Sequence, residues 1–299
     1  MATTNLVLQT DSTAEAMEGL IQAKASSRAT TVRGWFRVLF LYDVAEAIRL
    51  DQVRSILGAQ PGWRKPSLTR PVPDYVRLEP APAVEPIDEV ALETAERLKG
   101  RINYYEYGVV SVELVREFAC TWEQLVGLAS AWIGDQRLEM QSVNLAKRRL
   151  ERATTALVKP TENWLSEDYF VVQLCETEDP DGGSAIASEL LARHGHEISQ
   201  VVRGESAALS GAEQEEILQS NTSYTPTDLL VVGWTGALVY DTTEGAVDTI
   251  QLLEYANTQL LEFRYYDNLL TRVLKGVYAA LERKRVSSRA GGWREKRSD

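Results

Sequence analysis

The chain has two histidines, His194 and His196, and they limit what nucleophilic chemistry it can run. A serine, cysteine or threonine nucleophile needs a base beside it, so that base has to be one of these two or a carboxylate. In ARHGHE the histidines stand two residues apart on an expected helix. Residues so spaced do not share a helix face, which argues against one metal held by both and leaves solvated imidazoles as the plain expectation. Carboxylates are more numerous. Glu167 and Asp168 sit at the mouth of a strand (SEDYF), Glu205 follows a helix (RGESAALS), and Asp228 and Asp241 bracket an apolar run. Hydrolytic or metal-dependent chemistry needs two or more carboxylates converging. Glu167, Asp168, Glu205 and Asp241 are the candidates for it, set against the ordinary role of acidic residues at strand ends as solvated caps.

Cofactor chemistry has no visible foothold. Neither a GxxxxGKS/T loop nor GxGxxG occurs, and the paired glycines Gly182-Gly183 and Gly291-Gly292 lack the strand and helix such loops need. Cys120 and Cys175, with two histidines, give no zinc-type spacing. Both cysteines lie in apolar-leaning segments and read as buried small hydrophobes. No cofactor and no metal is expected.

Phosphate contact has one candidate. Arg283, Lys284, Arg285, Arg289, Arg294, Lys296 and Arg297 crowd the last residues, while the chain as a whole has a net charge of −11. That acidic balance disfavours a whole-surface interaction with nucleic acid or anionic lipid. The basic tail alone suits phosphates, or simply complements a helix C-terminus. Tyr104, Tyr105 and Tyr107, with Arg101 nearby, suit base stacking or a strand with one aromatic face in the core.

These groups must be carried by a layered fold. An apolar, β-branched run followed by a helical period recurs four times: Trp35–Val44, Tyr104–Leu114, Tyr169–Cys175 and Asp228–Asp241 open the four cycles. Continuous apolar runs suggest covered strands, and alternation with helices suggests an α+β fold of mixed sheets with short strands, ferredoxin-like halves being one arrangement. Trp234 and Tyr240, inside the fourth run, are expected to be largely buried. Thr121 with Gln124 and Ser210 with Glu213 mark helix starts. Pro180-Asp181-Gly182-Gly183 reads as a turn. Seven of the ten prolines lie between Pro61 and Pro86, so that stretch reads as an extended connection with one short strand at Asp74–Leu78. The expected organisation is a strand–helix unit over 1–60, a Pro-rich connection and short helix over 61–100, an α/β core over 101–246, a long helix over 247–285, and a disordered basic tail over 286–299.

The final helix carries the strongest signal. From Asp248 to Arg285 there is no proline and one glycine, Gly276. Alternating steps of three and four pick out Leu253, Ala256, Leu260, Phe263, Asp267, Leu270, Leu274, Val277 and Leu281. Only Asp267 is polar, so the segment meets the coiled-coil template. At about 1.5 Å per residue it extends on the order of 55 Å, starting near Val247 or Asp248 and outlasting Leu274. Leu253, Leu260, Phe263, Asp267, Leu270, Leu274 and Leu281 are the candidate interaction residues. Asp267 either sets register or oligomeric state or is a simple solvent-facing break.

The start, MATTNLVLQTDSTAEAMEG, has no basic or apolar segment of the kind a secretory signal needs. No window approaches the length of a membrane span. The bacterial cytoplasm is the default compartment.

One resemblance follows from the order of features. Tyr107-Gly108-Val109-Val110 lies mid-chain, then comes the segment VVGWTGALVYD with Trp234, then the helix LLEYANTQLLEFRYYDNLL. Over roughly Arg101 to Leu281 the chain resembles the "required for meiotic nuclear division" family of fungal and mitochondrial proteins. Members commonly end in an apolar membrane hairpin, where this chain has charged residues. The resemblance implies a scaffold or anchor without catalysis and places no functional residues.

Three functions are thus in play: an interaction protein that forms a homo-oligomer or binds a helical partner through its last helix, a hydrolytic enzyme using the carboxylates, and a nucleic-acid- or ribosome-associated protein using the tail.

Overall fold

In the computed structural model the chain is described over residues 31–62, 80–91, 97–178 and 185–295. The elements are β1 (Thr31–Ile48), α1 (Leu50–Leu57), β2 (Gln60–Pro61), β3 (Ala83–Ala91), β4 (Arg97–Tyr104), β5 (Val109–Thr121), α2 (Trp122–Ile133) and α3 (Gln136–Arg152), followed by β6 (Leu157–Glu178), α4 (Ala187–Arg203), α5 (Gly211–Gln219), β7 (Asn221–Thr222), β8 (Leu229–Val232), β9 (Gly236–Tyr240) and α6 (Gly245–Glu295). The strands form one mixed sheet in the order β2-β3-β4-β5-β1-β6-β9-β8-β7. The fold is mixed α/β with a long last helix. Its central strands are not short: β1, β5 and β6 run for 18, 13 and 22 residues.

Two segments that read as single strands are hairpins. Tyr104–Leu114 breaks at residues 105–108 between β4 and β5, whose pairing is antiparallel. Gly108 makes that break with φ +90, and a Cβ there would meet the Ala45 carbonyl oxygen at 1.8 Å. Asp228–Asp241 breaks at Gly233–Thr235 into β8 and β9, again antiparallel. Trp234 occupies that tip and is 78 % exposed, which overturns its expected burial: a residue at a hairpin tip has no sheet face to pack on. Tyr240 is buried and donates to the Ala185 carbonyl at 3.0 Å.

The chain divides into two compact units. One comprises the described residues of 36–116, 134–171 and 243–295. Its core joins Phe36 to Phe170, stacked at 5.8 Å, with Leu39, Leu41, Ile102 and Leu114. α3 buries Leu138, Leu145, Ala146 and Leu150, one stripe at helical spacing. Asp135 caps it by accepting from the Arg137 N–H at 3.0 Å. Most of the expected connection and short helix over 61–100 is strand wherever it is described. Pro86 lies in β3 opposite Arg101 of β4. Among the described residues β2 pairs with Ala83 and Val84 and not with Pro86, which lacks the N–H a further ladder bond would need. The strand expected at Asp74–Leu78 lies outside the described residues, as does the turn at Pro180–Gly183.

The other unit comprises the described residues of 31–35, 117–133 and 172–242. The Thr121–Gln124 box closes reciprocally, at 3.0 and 3.3 Å. Ser210 accepts from the Glu213 N–H at 3.2 Å. Asp228 accepts from the N–H groups of Tyr224 and Thr225, each at 2.7 Å, and so holds the turn before β8. His194 is half-buried and stacked on Trp122 at 4.7 Å, where α4 departs from helical geometry. It is therefore a packed side chain and not a solvated one, while His196 is exposed. Cys120 and Cys175 are half-buried where full burial was the expectation.

Candidate functional site: two faces of the long helix

The helix α6 starts at Gly245, slightly before the expected Val247 or Asp248, and continues past Leu274 to Glu295. Its 51 residues extend about 75 Å at the α-helical rise. The helix reaches well into the segment read as a tail.

Its first turns dock by one face. Ala246, Ile250, Leu253, Glu254, Thr258 and Leu261 are buried at steps of three and four. Glu254 is the unusual member. It pairs with Arg101 of β4 at 3.2 Å and accepts from the Asn103 side chain. Arg101 also pairs with Glu113 of β5 at 2.7 Å, and Glu113 with Arg37 of β1 at 2.8 Å. Two guanidinium groups and two carboxylates balance. Burial alone would push the Glu113 carboxyl up, but Arg101 and Arg37 outweigh it and hold the carboxyl below its usual range. Burial likewise works against the Arg101 charge, and Glu113 and Glu254 more than offset it, raising its pKa. Next to this network Tyr107 shares a hydrogen bond of 2.6 Å with Thr258. Tyr104 and Tyr105 are buried, as an aromatic core face requires. Arg101 is thus engaged inside the unit with carboxylates.

Farther along, the same side of α6 walls a groove. Tyr265, Asn268, Thr271, Arg272 and Lys275 face Asp43 of β1 and Thr161, Glu162, Asn163 and Leu165 of β6 across a volume of about 480 Å³. Asp43 is buried, and that burial raises its carboxyl. Glu262 is pushed up to about 7, mainly by burial and then by the Asp43 charge.

The opposite side of the helix is apolar and, among the described residues, exposed. Phe263 is 70 % exposed, Leu270 61 % and Val277 50 %, and Tyr266, Val273, Leu274, Tyr278 and Leu281 are similarly open. Between Phe263 and Val277 this face keeps a strict heptad: Phe263, Tyr266, Leu270, Val273, Val277, and then Ala280. Of the candidate interaction residues, Leu253 alone is buried in its own unit. Leu260, Phe263, Asp267, Leu270, Leu274 and Leu281 are exposed and lie together on the outer side.

The catalytic candidates do not gather in this way. Glu167 forms an ion pair with Arg264 of α6. Asp168, its neighbour on β6, is exposed, and successive strand residues point to opposite faces. Glu205 is exposed just past the C-terminal Gly204 of α4. Asp241 is half-buried and accepts from the Thr242 N–H at 2.6 Å. Among the described residues no three acidic, histidine or cysteine side chains cluster as metal ligands. No helix among them is long and apolar enough to cross a membrane. Of the basic cluster, Arg283 is exposed on α6 and its guanidinium meets the Ala279 carbonyl at 3.2 Å. Lys284, Arg285, Arg289 and Arg294 follow on the same helix, while Lys296 and Arg297 lie outside the described residues.

Glu113, Glu254, Asp43 and Glu262 are not picked out by motif. A signal was present for the first: Ser111 and Glu113 alternate with Val110, Val112 and Leu114 in β5, which points a carboxylate to one covered face.

Residues 33–247, more than two thirds of the chain, match the family described as the N-terminal domain of uncharacterized protein MJ0711. The chain belongs to this family. The match takes in both units as far as the start of α6, so the outward face of the helix lies beyond it. Among curated proteins, the chain is similar to uncharacterized protein MJ0711 of Methanocaldococcus jannaschii, at 21 % identity over 182 residues. That alignment covers 61 % of this chain and 49 % of the relative, so the chain spans about half the length of the curated relative it matches. No solved structure matches.

Proposed function

We propose that the protein works by association, using the outward apolar face of α6 as its binding surface. The observation that carries this reading is the exposed heptad from Phe263 to Ala280 on a helix whose other face is already committed to its own unit. A helix in water gains most of its stability from packing an apolar face. Beyond Leu261 no residue of α6 through Arg283 is buried. An exposed apolar stripe of this length marks an interaction site, and its spacing is that of a coiled-coil seam. The scaffold role implied by the meiotic-family resemblance agrees with it.

The test is the solution mass of the chain beside a Leu270→Glu, Val277→Glu variant, with circular dichroism as a folding control. The reading expects an assembled wild type and a folded variant of lower mass. Equal monomeric masses would end it.

A second reading has an observation of its own. Asp43 lines the groove, and its charge reaches Glu262 of α6; both carboxyls are held toward their protonated forms, which suits general acid chemistry. Hydrolysis of a phosphoester or glycoside panel, lost in Asp43→Asn and in Glu262→Gln, would support it. A wild type inert toward the whole panel would count against it.

A further inference from the structure

We infer that the surface covering the outer face of α6 is the same face of a second copy, running antiparallel. This rests on the association reading above and adds the partner and its direction.

Three observations of the helix agree. The first is volume. Set two copies antiparallel about a point between Thr271 and Arg272, so that a and d positions oppose each other as such pairs do. Phe263 then faces Ala280 of the second copy, Tyr266 faces Val277, and Leu270 faces Val273. Each layer joins a larger to a smaller side chain, and the total stays even along the seam. A parallel pair would stack Phe263 on Phe263 and Tyr266 on Tyr266 at one end and leave alanine against alanine at the other. Even filling favours the antiparallel set.

The second is Gly276. Glycine is the poorest helix former after proline, yet a Cβ at Gly276 would meet nothing within 4 Å in its own chain. Nothing in the single copy requires it. In the antiparallel pair Gly276 falls opposite Leu269 of the second copy, on the flank of the seam, and leaves room for that side chain.

The third is charge. Arg264 is engaged by Glu167, so the first half of the exposed segment presents Glu262 and Asp267. In the second half Arg283 flanks the seam, while Arg272 and Lys275 line the groove on the other side and Glu282 points to solvent. A parallel pair sets like against like. The antiparallel pair instead puts Glu262 beside Arg283 of the second copy.

The test uses the full chain with Cys120→Ser, Cys175→Ser and Glu282→Cys, spin-labelled at position 282, on the solvent side of the pair. Light scattering first fixes the mass. Dipolar spectroscopy then reads the distance between the two labels. An antiparallel dimer gives about 35 Å, from the axial offset at the helical rise. A dimer with labels closer than about 20 Å is parallel; it overturns this inference and leaves the association reading standing. A monomer overturns both.

Discussion

At the residue scale, the buried quartet of Arg37, Arg101, Glu113 and Glu254 holds the first turns of α6 to β4 and β5. Its charges are in balance, so removing Glu254 leaves one positive charge in excess and takes the acceptor from the buried Asn103 amide. Breaking such a pair costs several kcal/mol, well beyond the value of an exposed one. Glu254→Ala should lose about 3 kcal/mol in urea denaturation, while Glu282→Ala, on the exposed helix, should stay within about 0.5 kcal/mol. Similar midpoints for the two would contradict the assignment. Glu262 gives a pH prediction. Its carboxyl in the folded chain stands near 7, above the ordinary 4.5. The folded state thus binds the proton more tightly than the unfolded one, and stability falls as pH rises from about 4.5 to about 7. In a Leu270→Glu, Val277→Glu background, which keeps the chain monomeric, Glu262→Gln should flatten this part of the pH profile and raise stability at pH 8. A slope unchanged by the substitution would move the origin of the effect to another group, Asp43 first.

At the element scale, the hairpins explain most of what the sequence hid. Gly108 turns β4 into β5 with a left-handed backbone, and its open side is filled by the Ala45 carbonyl. Gly108→Ala therefore meets both steric strain and a backbone atom that cannot rotate away. We expect a loss of at least 2 kcal/mol in thermal or urea unfolding; a neutral result would mean that the turn relaxes into another conformation. The same logic shows why YYEYGVVSVEL and DLLVVGWTGALVYD read as single strands. Both flanks of each turn are apolar, and the turn residues, Gly108 in one and Gly233-Trp234-Thr235 in the other, are few. The tryptophan carried the burial expectation astray, because size alone favours burial while a hairpin tip offers nothing to pack against. The helix starts were legible, since a cap is a local contract between residues three apart. On α6 itself, the charge arrangement predicts a reciprocal pair. Glu262→Arg and Arg283→Glu should each weaken association about tenfold, and the double variant should regain most of the affinity. Additive losses would separate the two residues in the assembly.

At the scale of the whole molecule, the mixed α/β class and the long final helix were readable from composition, apolar runs and heptad spacing. The single nine-stranded sheet was not, because pairing between strands distant in sequence leaves no linear pattern. The same is true of the groove, where Asp43 of β1 faces Tyr265 and Arg272 of α6 only after folding. The exposed stripe is the opposite case. Its residues lie along one helix, so heptad spacing already picks out Phe263, Leu270 and Val277, while the other seam positions, Tyr266, Val273 and Ala280, each stand one residue before the spaced Asp267, Leu274 and Leu281. The structure adds which side is free: Ala246, Ile250, Glu254, Thr258 and Leu261 take one face into the unit, and Phe263 to Leu281 keep the other in water. The family match ends within the first turn of α6, so the surface on which this chain's proposed association depends lies beyond it.

That claim is tested most directly by hydrogen exchange along α6 at high and at low protein concentration. Paired helices protect amides between Phe263 and Leu281, and dilution should release them while leaving Ile250 to Leu261 protected by their own unit. Protection that appears with concentration, confined to the outer segment, is the predicted result. Exchange in that segment that is identical at both concentrations would contradict the account.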